Sequence, residues 1–169
     1  FDRIDDKQAL VLDGSTSALI KGDLSNPELP KKHFTIESWV RIDEPLSWGG
    51  IVGAIQDNGS YEKGWLLGFV DQKFSFALNG NEGPDKLNYM TADEDFILGQ
   101  WYHLAATYDG SKMTLHVNGK VSATSQEQSG EIQYPPNAYY EIGAYHDKDE
   151  HYFSKGMIHE VRVYHRALS

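Results

Sequence analysis

The chain has 169 residues, 40% hydrophobic and 24% charged, a balance that suits one globular domain with a substantial core. Its formal net charge of −10, with 15 Lys and Arg and no basic run, speaks against nucleic acid and anionic membranes as partners. The absence of cysteine removes disulfides, thiolate metal sites and a Cys nucleophile, and no apolar run approaches the ~20 residues needed to insert into a bilayer. An acidic surface remains compatible with neutral sugars, cations or basic proteins. The start at Phe1-Asp2-Arg3 carries no signal peptide, as expected of a mature or excised domain.

Segments with strand character follow one another along the chain, at 9–12, 17–20, 34–42, 50–55, 64–70, 73–79 and 87–90. They continue at 97–98, 101–108, 113–117, 121–126, 139–143 and 156–164. Asp13-Gly14, Asn58-Gly59, Asn79-Gly80, Asp109-Gly110 and Asn118-Gly119 punctuate them as turns, and the last two are expected to close tight two-residue hairpins. In 113–117, Met113, Leu115 and Val117 alternate with Thr114 and His116, the period-two pattern of a sheet with one buried face. Phe34, Ile36, Val40 and Ile42 likewise share one face, opposite Thr35, Glu37, Trp39 and Arg41. No stretch sustains helical spacing for three turns; a short helical connector is expected around residues 25–31. Without a linker or an internal repeat, residues 1–169 read as a single all-β domain, a sandwich or barrel.

The blocks FTIESWV (34–40), GQWYHLAATYDGSKMTLHVNGK (99–120), YEIGA (140–144) and GMIHEVRVYHRALS (156–169) resemble the hallmark blocks of laminin-G-like jelly-roll domains. Those domains belong to the concanavalin A-like lectin/glucanase superfamily, and ALVLDGSTSALI (9–20) is similar to their first hairpin. The resemblance implies a two-sheet antiparallel β-sandwich with first and last strands side by side. It implies a secreted or extracellular setting, as a piece of a larger protein. It also implies a structural calcium near the junction of those two strands. The family's I-D-E-V-R block, however, reads Ile158-His159-Glu160-Val161-Arg162 here, and an imidazole is a poor calcium ligand. Asp13 and backbone carbonyls are what remain to hold such an ion.

Catalysis is not expected. The retaining glucanases of the superfamily carry E-x-D-x-x-E on one strand, which sets an acid and a nucleophile on the same side. No Glu of this chain is followed two residues later by Asp, and there is no G-x-S-x-G elbow. Glu37 is expected to pair with Arg162.

The remaining candidates concern binding. Tyr and Trp faces stack on the apolar CH faces of sugars, while Asn, Asp, His and Lys bond their hydroxyls. Trp39, Trp65 and Trp101 sit in strands and are assigned to packing. Trp48, in PLSWGG, is expected in a loop and is the leading ligand-binding candidate, joined by Tyr61, Tyr145, His146, His151 and Tyr152 as loop aromatics. Asn79 and Asn81 are added for their amides. Tyr89, Tyr139 and Tyr140 are weaker candidates, and His103 and His116 would line a groove if their sheet face is concave. In the loop HDKDEH (146–151), Asp147 and Asp149 are the candidate metal ligands. Its two histidines point to zinc only faintly, because a spacing of five fits no regular strand or helix face. Asn58-Gly59-Ser60 matches a glycosylation acceptor but reads as a turn. The leading function is a non-catalytic carbohydrate-binding module for a glycan or polysaccharide. The alternative is a protein-interaction or adhesion module of a multidomain extracellular protein.

Overall fold

The computed structural model describes residues 2–4, 7–21, 24 and 29–169. Fifteen strands follow in order: β1 (Asp2–Ile4), β2 (Lys7–Asp13), β3 (Ala18–Lys21), β4 (Phe34–Ile42), β5 (Leu46–Asn58), β6 (Tyr61–Asp71), β7 (Lys73–Leu78) and β8 (Asn88–Thr91). They continue with β9 (Trp101–Tyr108), β10 (Met113–Val117), β11 (Lys120–Ser125), β12 (Tyr140–Ile142), β13 (Ala144–His146), β14 (His151–Phe153) and β15 (Lys155–Tyr164). There is no helix among the described residues, and the expected helical connector falls largely on residues 25–28, outside them.

One sheet runs β1-β2-β15-β4-β9-β10-β11 and the other β3-β12-β5-β6-β7-β8, with β13-β14 a separate hairpin. Every pairing is antiparallel, and β2 lies beside β15, the first-to-last neighbour relation of the expected jelly roll. The sandwich forms because alternate residues of both sheets turn inward. Phe34, Ile36, Val40 and Ile42 of β4 meet Trp65, Leu67 and Phe69 of β6 and Phe74, Phe76 and Leu78 of β7 in the main core. Phe34 packs its ring 5.2 Å from Trp65 and 6.0 Å from Phe76.

Local turn chemistry sets the hairpins. Val117 pairs with Lys120, so Asn118-Gly119 closes a two-residue loop with φ of 51° and 75°, the left-handed conformation that Asn and Gly tolerate. Asp109-Gly110 behaves differently. Tyr108 pairs with Met113, which leaves four connecting residues, and Asp109 Oδ1 accepts the backbone N–H of Ser111 (2.9 Å) and Lys112 (2.8 Å). The aspartate's own hydrogen bonds thus stabilise a wider turn than the dipeptide suggests. Ile97 and Leu98 form no strand; they are exposed before a turn at Gly99, whose N–H bonds Ile42 O at 2.8 Å.

The second sheet is apolar on both faces. Between the inward-facing Trp65 and Leu67, Leu66 turns outward and joins Ile55, Ala77, Leu87 and Tyr145 in a second cluster, flanked by Trp48 and Tyr89. The β13-β14 hairpin lies over β5 and supplies Tyr145 to that cluster. The approach is close: Gly143 N–H bonds Ile51 O at 2.9 Å and Ser154 Oγ bonds Gly50 O at 2.8 Å. A Cβ at Gly50 would stand 1.8 Å from Ala144 O.

Gly50→Ala is therefore expected to destabilise the fold by at least about 2 kcal/mol, because a backbone carbonyl has to move. Gly59→Ala, in open space but at φ +63°, should cost only the left-handed backbone penalty of about 1–2 kcal/mol. Urea denaturation of the two variants checks the contrast. Acid stability follows from three carboxylates. Hydrogen bonds from Ser15 N–H, then from Thr16 and Ser15 side chains, hold Asp13 at about 2 against an ordinary 3.8. Burial pushes Asp109 and Glu37 up, but hydrogen bonds from Ser111 on the first and from Tyr164 and Arg162 on the second outweigh it, so both also lie low. Carboxylates lowered in the folded state stabilise it fully above their unfolded values and lose that contribution as pH falls through the folded ones. The melting temperature should fall as pH drops from 3.8 towards about 2, and Asp13→Asn, which keeps the acceptor oxygen, should flatten that fall.

Candidate functional site

β12 and the hairpin that follows it build the site. Glu141 on β12 sits between Leu19 of β3 and Gly53 of β5. After Gly143 the chain doubles over β5, and residues 147–150 turn it back. Asp147 Oδ1 accepts the N–H of Asp149 and of Glu150, each at 2.8 Å, and Asp147 N–H bonds Glu150 O at 2.9 Å. This turn places His146 directly opposite His151, and Tyr145 opposite Tyr152.

The two imidazoles stack with centroids 3.6 Å apart and planes 7° from parallel. Tyr139 stacks on His146 at 4.0 Å and 7°, and Phe153 lies 4.0 Å from His151. Both ring edges meet the Glu141 carboxylate: His146 Nδ1 is 2.6 Å from Oε2 and His151 Nε2 is 3.2 Å from Oε1. Ser17 Oγ also donates to Oε1. Glu141 is only 4% exposed. A carboxylate removed from water requires such partners.

Beside the stack opens a depression of about 740 Å³. Its lining combines Tyr61, Tyr139 and Pro136 with the polar groups of Asn58, Asn137 and Lys148. Tyr61 is 42% exposed and Tyr139 40%. The loop carrying Tyr139 is pinned from the core: Trp65 Nε1–H donates to Tyr134 Oη (3.0 Å), which donates to Pro30 O (2.7 Å). Burial pushes the Tyr134 hydroxyl well above the ordinary phenol range, so it stays a donor. A second depression of about 470 Å³ is rimmed by Asp93, Glu94 and Asp95, and its aromatics Phe74, Phe96 and Tyr102 are buried, so it offers no ring face for stacking.

The expected site residues divide accordingly. Tyr61 and His146 line the larger depression, and His151 adjoins it through the ring stack. Trp48 is not in a loop: it lies in β5, half-buried, 5.1 Å from Tyr89 and 6.2 Å from Tyr145. Tyr145 is buried, its hydroxyl 3.4 Å from Asp57 Oδ2, and burial pushes that hydroxyl well up, as it does that of Tyr89. Tyr152 is exposed and donates to Glu150 Oε1 at 2.8 Å. Asn79 is 0% exposed, with Nδ2 donating to Lys86 O at 2.9 Å. Asn81 Oδ1 accepts Glu131 N–H at 2.7 Å. Both asparagines therefore spend these amide atoms on loop backbone.

The expected metal ligands do not converge. Asp147 is buried and its Oδ1 is taken by the turn, while Asp149 Oδ2 accepts Asn58 Nδ2–H at 3.1 Å. The spacing of five between the histidines has a structural meaning after all, since a four-residue connection places residues i and i+5 side by side across a hairpin. Glu141, Gln56, Asn58, Asn137 and Lys148 were absent from the expected set. The run YPPNAYY (134–140), two prolines among aromatics, was the sequence signal for this wall.

The calcium implied by the family finds no matching donor set among the described residues. Asp13 Oδ1 accepts Ser15 N–H, Thr16 N–H and Thr16 Oγ–H, each at 2.9 Å. His159 Nδ1 lies 2.7 Å from Gln8 O; a carbonyl only accepts, so this nitrogen carries the proton and ties β15 to β2. On the outer face of the other sheet, Glu37 meets Arg162 (3.2 Å) as expected, together with Tyr164 (2.9 Å). His103 lies 3.4 Å from Glu37 and against Trp39, while His116 Nδ1 is buried without a partner among the described residues.

These sheets and their first-to-last strand pairing define a laminin G-like sandwich. The family model described as the concanavalin A-like lectin/glucanases superfamily matches residues 13–169, and the chain belongs to that family. Pappalysin-1 of Mus musculus is 34% identical over 140 residues, covering 76% of this chain; the chain spans 8% of that relative's length. Among solved structures, the CBM40 of Ruminococcus gnavus IT-sialidase bound to α2,3-sialyllactose superposes with a TM-score of 0.74 at 14% identity, covering 96% of this chain and 92% of the other. Domain 4 of AbnA, an extracellular GH43 arabinanase from Geobacillus stearothermophilus in complex with arabinotriose, gives 0.70 at 19%, covering 95% and 72%. No helix is long and apolar enough to cross a membrane among the described residues.

With Asp13 and His159 committed to backbone partners, millimolar calcium is expected to leave the melting temperature unchanged, which differential scanning fluorimetry with calcium and with EDTA checks.

Proposed function

We propose that this domain, taken as one unit over residues 1–169, is a non-catalytic carbohydrate-binding module of a longer extracellular protein. The ligand seat is the depression walled by Tyr61, Tyr139 and His146. The observation that carries the reading is two tyrosine rings, each about two-fifths exposed, on the rim of one open concavity beside amide side chains. A sugar presents an apolar ring face and a belt of hydroxyls; tyrosines take the first, and Asn58, Asn137 and Lys148 take the second. Proteins of the same fold have been solved bound to sialyllactose and in complex with arabinotriose, which supports the ligand class. The seat differs from the one centred on Trp48, because that side chain is spent on packing against Tyr89 and Tyr145.

Binding of this kind exchanges water hydrogen bonds for similar ones, so its affinity is modest and its stacking residues dominate. A glycan and polysaccharide array should show saturable binding to one sugar class. Tyr61→Ala and Tyr139→Ala should each weaken it by roughly tenfold or more, the equivalent of about 1.4 kcal/mol. Trp48→Ala should lower stability and leave the affinity of the folded fraction unchanged. Absence of binding across the array would overturn the reading in favour of a protein partner.

A further inference from the structure

We propose that Glu141, His146 and His151 form a binding site for a divalent transition-metal ion of the zinc class. One ligand atom of each residue lies within 4.8 Å of the others, with His146 Nδ1 2.6 Å from Oε2 and His151 Nε2 3.2 Å from Oε1 of Glu141. Ligand atoms of a tetrahedral zinc site, with bonds of about 2.0–2.1 Å, stand about 3.3 Å apart. Closing the set requires the two parallel imidazole planes to turn apart until both lone pairs face one point, and His151, the most exposed of the three, has room to turn.

The donor set selects the metal. Two imidazole nitrogens and one carboxylate suit zinc, copper, nickel or cobalt, whereas calcium and magnesium favour oxygen throughout. An ion here would add positive charge beside a buried carboxylate. Glu141 is almost wholly buried, and among the described residues its ion-pair partners are these two histidines. A divalent ion neutralises the carboxylate while both rings remain uncharged. Each ring then turns a lone pair to the ion and keeps its proton on the other nitrogen.

The surroundings support the ligands as a second shell does. Ser17 holds Glu141 Oε1, and the rings of Tyr139 and Phe153 flank the histidine pair on its two outer sides. Three protein ligands leave one position of a tetrahedral ion for water or an added ligand. Because His146 also lines the depression, that ion stands in its wall. The site is independent of whether the depression takes a sugar.

Isothermal titration calorimetry of ZnCl2 into EDTA-treated, dialysed protein tests the site, with melting temperature as a parallel readout. One ion per chain and a melting temperature raised by several degrees are expected, with neither effect from CaCl2. His151→Ala and Glu141→Gln should each weaken binding at least tenfold, while His165→Ala, outside the site, should retain it. Co2+ added to wild-type protein should give the intense visible bands of a low-coordinate nitrogen and oxygen site, a readout that needs no variant to fold. Absence of both zinc heat and cobalt bands overturns the site, and so does an affinity unchanged in His151→Ala and Glu141→Gln.

Discussion

The contact on which the site depends is that of the β13-β14 hairpin with β5. Strand β5 is covered on both faces, by the sandwich core on one and by this hairpin on the other. Backbone meets backbone there, with the Ala144 carbonyl occupying the space where a Gly50 side chain would stand. Hydrogen bonds from Gly143 to Ile51 and from Ser154 to Gly50 then hold the hairpin down. Once it is seated, the alternation of strand residues does the rest. Tyr145 goes down into the apolar cluster with Ile55 and Leu66, while His146 stands on the other side, against Glu141.

That seating explains how an acidic chain keeps a carboxylate almost out of water. Glu141 is enclosed because β12 is an internal strand of its sheet, between β3 and β5. The groups that reach it come from three separate segments: Ser17 ahead of β3, and one histidine from each arm of the hairpin. The wall of the depression is tied to the core in a different way. Tyr134 accepts from the buried Trp65 and donates to Pro30, so the loop that presents Tyr139 hangs from the sandwich interior. Rigid support behind exposed rings lowers the entropy lost when a ligand stacks on them.

Much of the frame was legible from local signals. The 34–42 and 101–108 strands were delimited to the residue, because period-two alternation is strong there and the neighbours are turn formers. The Asn118-Gly119 turn followed from backbone stereochemistry alone. The misreadings have separate causes. Asp109-Gly110 looks like a two-residue turn until the Asp109 carboxylate's bonds to Ser111 and Lys112 widen it. Ile97-Leu98 has strand character but finds no partner strand among the described residues. Trp48 looked like loop because of its glycines, yet those glycines permit close packing within a long strand whose register shifts between Leu46 and Gly49 and between Gly50 and Val52.

The same division holds for the candidate site. The sequence alone determined an all-β sandwich of this family, the inward residues of its strong strands and the Glu37–Arg162 pair. Those properties rest on alternation, turn stereochemistry and motif order, all of which are local to a strand or its neighbours. Tertiary structure alone decided that Tyr61 and Tyr139, 78 positions apart in the chain, share one rim, and that Glu141 meets both histidines. It also decided that Asn79, Tyr145 and Asp147 turn inward. Such choices depend on which faces are covered when segments distant in sequence pack together, and a residue's type carries no record of what will lie across from it.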